Sequence, residues 1–346
     1  MSSSGLVVGL VLALAASACG SSSPPTAPTP SNNPAPPTPP PAQTAGVNGT
    51  AVDAVTDRPL SGVTVRVDGL GETVTSASGS FHFDAADPQQ IRSVVVSSSQ
   101  TVERATRLRV PGPDATLSLM PSTLDLAAFD QMFRGNLAAL HRWTSAPRVV
   151  VQNRVLQFTN LSDIDYTALS SVMSDDEGTA LIGDLTWALP QLTGNAFATF
   201  ADEQRETAAE GTRVRVSRSG LIVVARYEGL TAATGFWGYT RWAWNGAGEM
   251  TAGIVMLDRA FETSGSQFRR SLRAHEFGHA LGYNHVTVRS SVMNQAARLE
   301  PNSFDRDAAK FAFQRPPLNR SPDIDPDPFT GNLRALASQV FWSGAQ

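Results

Sequence analysis

The chain has 346 residues, of which 17% are charged, and a formal net charge of -4. Because neither sign of charge forms a long run, the composition excludes binding of nucleic acid through a basic patch. The length is sufficient for two folded units, since single domains usually contain about 100–200 residues. The single cysteine, Cys19, excludes an internal disulfide, so the fold must be stabilised by its core or by a metal.

An apolar run at residues 5–18 ends in small residues immediately before Cys19. The run is shorter than a membrane-spanning helix but has the length of a signal-peptide core. Residues 1–19 resemble the signal and lipobox of a bacterial lipoprotein. The resemblance implies an exported protein, at the cell surface or in the periplasm, that is held to the membrane by a lipid on Cys19. An ordinary secretion signal with an incidental cysteine is the alternative.

Residues 20–45 are almost entirely Ser, Pro, Thr, Ala and Asn. Such a segment cannot bury a core and favours an extended, polyproline-like linker. We expect this linker to hold the folded part of the chain away from the membrane.

Residues 46–120 contain seven short runs rich in Val and Thr, separated by turn signals, which predict an all-β sandwich. The phrases VDAVTDRPLSGVTVRV and TSASGSFHFD resemble the carboxypeptidase regulatory-like, transthyretin-like domain. The resemblance implies a structural or spacing role, with residues 57–60 in the first hairpin loop and Gly79 in the next turn. A carbohydrate-binding or adhesive role is the alternative, because β-sandwiches also host such sites. His82 alternates with two phenylalanines and is expected to face solvent.

Residues 121–315 mix helical and strand patterns, which predicts an α+β domain with a twisted mixed sheet. Ser122 is predicted to cap a helix that runs to about His141, where the histidine interacts with the helix dipole. The other predicted elements are a strand at 147–158, helices at 166–173 and 179–189, and strand pairs across the turns at 218–220 and 245–246.

A capping-box pattern that begins at Ser264 predicts a helix over residues 265–281. His275 and His279 are four residues apart and therefore share one face, from which both imidazoles can bind a single ion. The opposite side of the helix carries apolar residues. We expect that side to pack on the sheet while the histidine face opens to a cleft.

Gly282 is predicted to end this helix in a left-handed turn, which a glycine adopts without strain. The turn returns His285 to the same ion as a third ligand. Three imidazoles on one zinc leave a position for water, whose pKa the ion lowers to about 7. Glu276 lies beside the histidine face and is predicted to act as the general base on this water. A purely structural zinc site would gain nothing from that glutamate.

Residues 275–285, HEFGHALGYNH, match the pattern HExxHxxGxxH. This pattern is the signature of the metzincin clan of zinc peptidases, and its wording is similar to that of the matrixin-like branch. The resemblance implies that Met293, in a turn below the metal, supports the histidines without binding the ion. It also implies that residues 302–315 form the last helix and that 250–257, MTAGIVML, form the edge strand that binds an extended substrate. The cysteine that keeps some relatives latent has no counterpart beyond Cys19.

Two acidic clusters lie outside the zinc motif, at 175–177 and at alternate positions of 323–327. Both carry ligand types that calcium prefers, but neither has the ligand rhythm of an EF-hand, so Ca2+ is left without support and solvated loops are expected. The tail at 316–346 is rich in proline at first and then briefly apolar, and no role is predicted for it.

The sequence therefore predicts a zinc-dependent metalloendopeptidase with one catalytic Zn2+ that hydrolyses peptide bonds in a protein or peptide substrate. It predicts no nucleic-acid partner, and contact with the membrane only through the N-terminal lipid. One alternative is a non-catalytic surface lipoprotein that binds a partner through its β-sandwich and holds a structural zinc. A second alternative is a zinc amidase that acts on cell-wall peptides.

Overall fold

The fold is taken from a computed structural model that describes residues 46–85, 89–327 and 339–345. The predicted signal peptide, Cys19 and the linker lie outside the described residues. No helix within the described ranges is both long and apolar enough to cross a membrane.

The first seven strands form a β-sandwich, which confirms the predicted fold class for this part of the chain. The strands are β1 Gly46–Asp53, β2 Thr64–Val67, β3 Gly71–Val74, β4 Ser80–Asp84, β5 Gln90–Ser98, β6 Thr101–Val110 and β7 Ala115–Leu119. One sheet has the order β4-β1-β7 and the other the order β3-β2-β5-β6. Buried strand residues, such as Val65 and Val67 of β2, fill the space between the sheets. His82 faces solvent and hydrogen-bonds to Asn48 and Asp84.

The remaining elements form an α+β arrangement around one large sheet. They are α1 Leu126–Phe133, β8 Arg148–Gln157, β9 Asp165–Val172, α2 Asp175–Leu192, β10 Asp202–Glu206, β11 Arg213–Arg215, β12 Leu221–Glu228, α3 Leu230–Thr234, β13 Gly238–Trp244, β14 Met250–Asp258, α4 Arg259–Thr263, α5 Arg269–Ala280, α6 Ser303–Phe313 and β15 Gln339–Ala345. The sheet order is β11-β9-β8-β12-β14-β13-β15, with β10 paired to β8. The inner strands β8, β12 and β14 run parallel, and the apolar runs of β12 and β14 are buried on both faces.

Strand β14 is an interior strand, so the prediction that MTAGIVML forms the edge of the sheet is wrong. β14 pairs with β12 on one side and with β13 on the other. The hairpin between β13 and β14 was predicted from the Asn245–Gly246 turn and is confirmed. Strand β13 therefore lies one position further out than β14, and its outer side pairs with β15.

The predicted helix at 166–173 is also wrong, because this segment forms strand β9. Tyr166 and Ala168 are buried while the residues between and after them are more exposed, which is the period of two of a half-buried strand. The strands on either side of the turn at 218–220 form as predicted but do not pair with each other. Strand β11 pairs with β9, whereas β12 pairs with β8 and β14.

Helix α1 is shorter than predicted. Asp125, and not Ser122, caps it, because the Asp125 carboxylate accepts a hydrogen bond from a first-turn backbone N–H at 3.0 Å. The helix ends at Phe133, so His141 does not meet a helix dipole. Instead, His141 is buried with its ring 4.7 Å from that of Trp244.

The helix that carries the zinc motif begins later than the capping pattern at Ser264 predicts. The Ser264 hydroxyl donates to the Phe261 carbonyl at 2.7 Å, which closes the short helix α4. Gly265 follows with a φ of +75° and breaks the helical path. Helix α5 starts only at Arg269 and has no side-chain cap.

The expectation of solvated loops is corrected in part: the first acidic cluster is solvated but helical, and the second lies in a loop but is engaged by arginines. Residues 175–177 form the first turn of α2, where a capping box between Ser174 and Glu177 and the helix dipole favour acidic side chains. Asp323 pairs with the buried Arg315 at 2.7 Å, and the two acidic residues that follow pair with arginines of the sandwich, Arg104–Asp325 and Arg107–Asp327.

The β-sandwich packs directly on the last helix of the α+β region. Helix α6 agrees with the predicted last helix and is capped by Asn302. From it, Lys310 donates to the Val55 carbonyl at 2.7 Å, and Gln314 donates to the Ala54 carbonyl at 2.8 Å. Ala54 also belongs to the same hydrophobic core as α1, α5 and α6. The sandwich thus shares core with the region that carries the histidines.

Candidate metal centre

Helix α5 presents the first two histidines of the motif from inside the protein. It packs between strands β13 and β14 on one side and helix α2 on the other. Every residue from Ser271 to Ala280 is buried, including His275 and His279. Arg273 is tolerated in this position because it forms ion pairs with Glu262 and with Asp184 of α2. These contacts fix the rotation of the helix about its own axis.

The turn after α5 returns the chain toward the same two histidines. Gly282 has a φ of +104°, and a Cβ at this position would lie 2.6 Å from the His141 carbonyl oxygen, so the turn requires a glycine. Two residues later, the Asn284 backbone N–H donates to the Met132 carbonyl of α1 at 2.7 Å. This bond anchors the turn and delivers His285 to the histidine face of α5.

The three histidines converge through their Nε2 atoms. The separations are 3.1 Å between His275 and His279, 3.2 Å between His279 and His285, and 3.3 Å between His275 and His285. Two ligand atoms on a tetrahedral zinc lie about 3.3 Å apart when each bond is about 2.0–2.1 Å long. The triad therefore has the spacing of three ligands of one ion, and it is placed to hold a metal.

The hydrogen bonds of the Nδ1 atoms show which ring nitrogens carry protons, and therefore whether the closely spaced Nε2 atoms can bind a metal. The Nδ1 atom of His275 lies 2.8 Å from the Val292 carbonyl oxygen, and that of His279 lies 2.6 Å from the Tyr283 carbonyl oxygen. A carbonyl accepts only, so each Nδ1 carries the proton and each Nε2 keeps its lone pair. Lone pairs that point at one another repel unless a cation lies between them. The ring orientation is thus the one found at metal-binding histidines.

Burial keeps the imidazoles neutral. It lowers the pKa of His275 to about 3 and lowers that of His279 well below its usual value, with the neighbouring histidines adding to the effect at His279. Burial also lowers the pKa of His285. Since a neutral imidazole is the form that binds a metal, the site is ready for a cation at neutral pH.

Met293 lies in the turn that passes below α5. It is fully buried, and a Cβ on Gly278 would lie only 2.6 Å from its Sδ atom, so the helix rests directly on this side chain. Asp305 of α6 holds the turn: it accepts from the Ser291 hydroxyl at 2.5 Å and from the Val292 N–H at 3.0 Å. Val292 is also the residue whose carbonyl orients His275. The turn that contains Met293 therefore also orients the His275 ring.

Glu276 lies against strand β13, next to the histidine triad in sequence and in space. The Thr240 hydroxyl bonds to the Glu276 carboxylate oxygen Oε2 at 2.6 Å and to its backbone carbonyl at 3.0 Å. Gly238 leaves room for the carboxylate, because a Cβ there would lie 2.6 Å from Oε1. Trp242, two residues further along the same face, stacks parallel to the His279 ring at 5.5 Å. Gly238, Thr240 and Trp242, three alternate residues of β13, thus contact Glu276 or His279.

These three β13 residues are not among the site residues predicted from the sequence. The alternation in GYTRWAW places Gly238, Thr240 and Trp242 on one face, and this signal was present in the sequence. The sequence does not give the strand order, which places β13 beyond β14 and next to Glu276. The structure also differs from the expected open cleft: His275, Glu276 and His279 each have 0% exposure.

The acidic clusters do not add a second metal site within the part of the chain that the structure describes. The histidine triad is the group of metal-binding side chains found there. Asp323 and Asp325 are engaged by arginines, as described above.

No protein-family model and no curated protein sequence matches the chain. Among solved structures, the chain is similar to 5-hydroxyisourate hydrolase of Klebsiella pneumoniae, with 20% identity and a TM-score of 0.19 over 22% of this chain and 91% of that one. It is also similar to a chain of a type II cohesin–X-dockerin complex of Acetivibrio cellulolyticus, with 19% identity and a TM-score of 0.17 over 21% of this chain and 51% of that one. At these TM-scores neither similarity assigns an activity.

Proposed function

We propose that the chain is a zinc-dependent endopeptidase of the metzincin type, with a matrixin-like motif, that hydrolyses peptide bonds in exported or extracellular proteins. The observation that carries the proposal is the convergence of three neutral histidine Nε2 atoms within 3.3 Å of one another, beside the carboxylate of Glu276. Zinc is the metal that fits, because it prefers nitrogen ligands in tetrahedral geometry.

The number of histidines favours a catalytic over a structural ion. Structural zinc sites are closed by four protein ligands, whereas catalytic sites use three and keep one position open. When bound, zinc polarises the scissile carbonyl and lowers the pKa of water to about 7. The site residues that would hold it are His275, His279 and His285.

Glu276 carries the proton transfers in this proposal. Its carboxylate accepts a proton from the attacking water and donates it to the departing amine nitrogen, so that a neutral amine leaves. Thr240 donates to Oε2 and so fixes the direction of the carboxylate before the substrate arrives. Such a positioned group avoids the reorganisation that a mobile side chain requires in the transition state.

The substrate in this proposal is an extended peptide that binds along β13. The resemblance assigned substrate binding to MTAGIVML of β14, and the proposal assigns it to β13 instead. A peptide that adds to the outer side of β13 runs past Gly238, Thr240 and Trp242, which contact Glu276 and His279. Its carbonyl groups are thereby brought next to the histidine triad. We expect main-chain pairing to position the peptide and the cleft walls to select its side chains.

The proposal is tested with Glu276→Gln in the zinc-loaded protein. Loss of the general base is expected to lower kcat on a quenched fluorescent peptide library by about 10²–10⁴-fold, with one zinc per chain retained. Glu300→Gln is the matched control, because Glu300 is a half-exposed partner of Arg270 on the surface. Equal cleavage by Glu276→Gln and the parent protein would contradict the mechanism. Zinc binding without cleavage of any peptide would favour the non-catalytic alternative, and cleavage of cell-wall peptides alone would favour the amidase.

A further inference from the structure

The outer edge of β13 is occupied in this structure by the chain itself. Strand β15, Gln339–Ala345, pairs antiparallel with β13 along its whole length, from Gly238 opposite Ala345 to Trp244 opposite Gln339. Cα atoms of β15 also lie within 8 Å of Cα atoms of helix α5. The last described strand therefore lies beside both the metal-binding helix and the strand that surrounds its glutamate.

The register places β15 directly across the functional positions of β13. Ala345 is opposite Gly238, Ser343 is opposite Thr240, and the next alternate pair brings Phe341 opposite Trp242. These three β13 residues are the ones that contact Glu276 and His279. The segment thus follows the path that the proposed function assigns to a substrate.

Two occupants cannot share this edge. Each backbone N–H and C=O on the outer side of a strand forms one ladder bond, so β15 and an extended peptide compete for the same groups. A segment of the same chain has an effective concentration on the order of millimolar, which is high compared with most substrates. The closed state of the site agrees with this occupancy, because His275, Glu276 and His279 have 0% exposure although a peptide must reach them.

We propose that Gln339–Ala345 is an intramolecular competitor of the substrate, which keeps the peptidase latent until the strand leaves β13. This inference rests on the proposed function. It assigns a role to the tail for which the sequence analysis predicted none. It also supplies a form of latency that needs no cysteine.

A double substitution, Trp342→Pro with Ser343→Pro, tests the competition in the full chain. Successive N–H groups of a strand point in opposite directions, so one of these two points toward β13 whatever the phase of the ladder, and proline removes it. We expect amide hydrogen exchange of 238–244 to accelerate at least about 10-fold. We expect the apparent KM for a quenched fluorescent peptide to fall at least about 10-fold with kcat and zinc content unchanged, because the competent fraction rises.

A synthetic peptide, QVFWSGA, is the complementary probe. Added to the proline variant, it is expected to raise the apparent KM again as a competitive inhibitor, and a scrambled peptide of the same composition serves as control. An unchanged KM in a proline variant whose β13 amides have lost their protection would overturn the inference. So would failure of the peptide to compete.

If the proline variant does not fold, a disulfide that joins β15 to β13 provides a second test. In Ala243→Cys with Val340→Cys, made together with Cys19→Ser, the two new cysteines are directly opposite. Opposed Cα atoms in an antiparallel pair lie about 4.5–5.5 Å apart, which a disulfide can bridge. The oxidised protein is expected to lose cleavage and to regain it on reduction, whereas the single-cysteine proteins do not respond to the reductant. Equal cleavage in both redox states would overturn the inference.

Failure of the proposed function gives a different result. In that case the parent protein, the proline variant and the reduced double-cysteine protein all carry zinc and none cleaves any peptide in the library. Such a result would overturn the peptidase proposal and the competitor role with it, whereas cleavage that is indifferent to β15 would overturn the competitor role alone.

Discussion

The Thr240 hydroxyl is hydrogen-bonded to the Glu276 carboxylate at 2.6 Å, across 36 residues of sequence. The same hydroxyl lies 3.0 Å from the Glu276 backbone carbonyl, so a single side chain ties strand β13 to the helix that carries His275 and His279. This contact joins the strand that is proposed to bind the substrate with the group that is proposed to transfer the proton.

Thr240→Val is expected to lower kcat by about 10–100-fold. A hydrogen bond to a charged group contributes about 1.5–3 kcal/mol, and valine keeps the shape while removing the donor. Thr240→Ser restores the hydroxyl and is expected to recover most of the activity. Steady-state kinetics with zinc analysis checks this, and the expected signature is a change in kcat with KM and zinc content unaltered. A loss that serine does not recover would show that Thr240 acts only through packing.

Gly278→Ala is expected to weaken metal binding, although alanine is usually the better helix former by about 1 kcal/mol. The new Cβ would lie 2.6 Å from the Met293 sulfur, so this buried side chain would have to move from its place below the histidines. Gly183→Ala in α2 is the matched control, since a Cβ there meets nothing within 4 Å. Competition with a zinc chelator is the measurement. Equal zinc affinity in the two variants would show that Met293 does not set the position of the histidines.

Zinc removal is expected to destabilise the fold. A metal that binds the native triad and not the unfolded chain stabilises only the native state, and zinc at 1,000 times its Kd would do so by about 4 kcal/mol. Thermal unfolding of metal-stripped and zinc-supplemented protein measures the difference. His279→Ala removes one ligand and should abolish the shift of Tm. A shift that persists in this variant would place the stabilising zinc elsewhere in the protein.

Acid is expected to weaken the attachment of the β-sandwich through Asp325. Burial raises the pKa of this carboxyl, but the charge and hydrogen bond of Arg104, together with hydrogen bonds from Thr106 and Asn319, outweigh it, so the pKa is lower in the folded protein than in the unfolded chain. The stability that this pair contributes is therefore fully present above the usual aspartate pKa of about 4 and is lost as pH falls below it.

Asp325→Asn tests that pH dependence. At pH 7 the variant is expected to lose about 1.5–3 kcal/mol of unfolding free energy, because the charge of Arg104 is left without its carboxylate. The difference from the parent protein should shrink at pH 3. Urea unfolding of both proteins at pH 7 and pH 3 measures this difference in unfolding free energy. A difference that does not depend on pH would mean that the charge of Asp325 does not hold the sandwich in place.

The convergence of the three histidines was predictable because their geometry is local. Helical periodicity places His275 and His279 on one face, and the glycine after the helix permits the turn to His285. The whole pattern spans 11 residues, so no knowledge of the sheet is needed.

The residues around the motif were not predictable, because their contacts depend on segments far apart in the sequence. The role of Thr240 depends on β13 lying beyond β14 in the sheet, and that order results from pairing between strands far apart in sequence. The period of two at Tyr166 and Ala168 was mistaken for a helix because it is short. The pairing of Gln339–Ala345 with β13 joins segments about 100 residues apart, and no local signal records it.

Zinc titration of the metal-stripped protein, with peptide cleavage as the readout, measures whether one zinc on the histidine triad makes the protein an active peptidase. Activity is expected to rise in proportion to added zinc, to stop rising at one equivalent per chain, and to stay absent at every zinc concentration in His285→Ala. Cleavage by the stripped protein, or activity in His285→Ala equal to that of the parent, would contradict it.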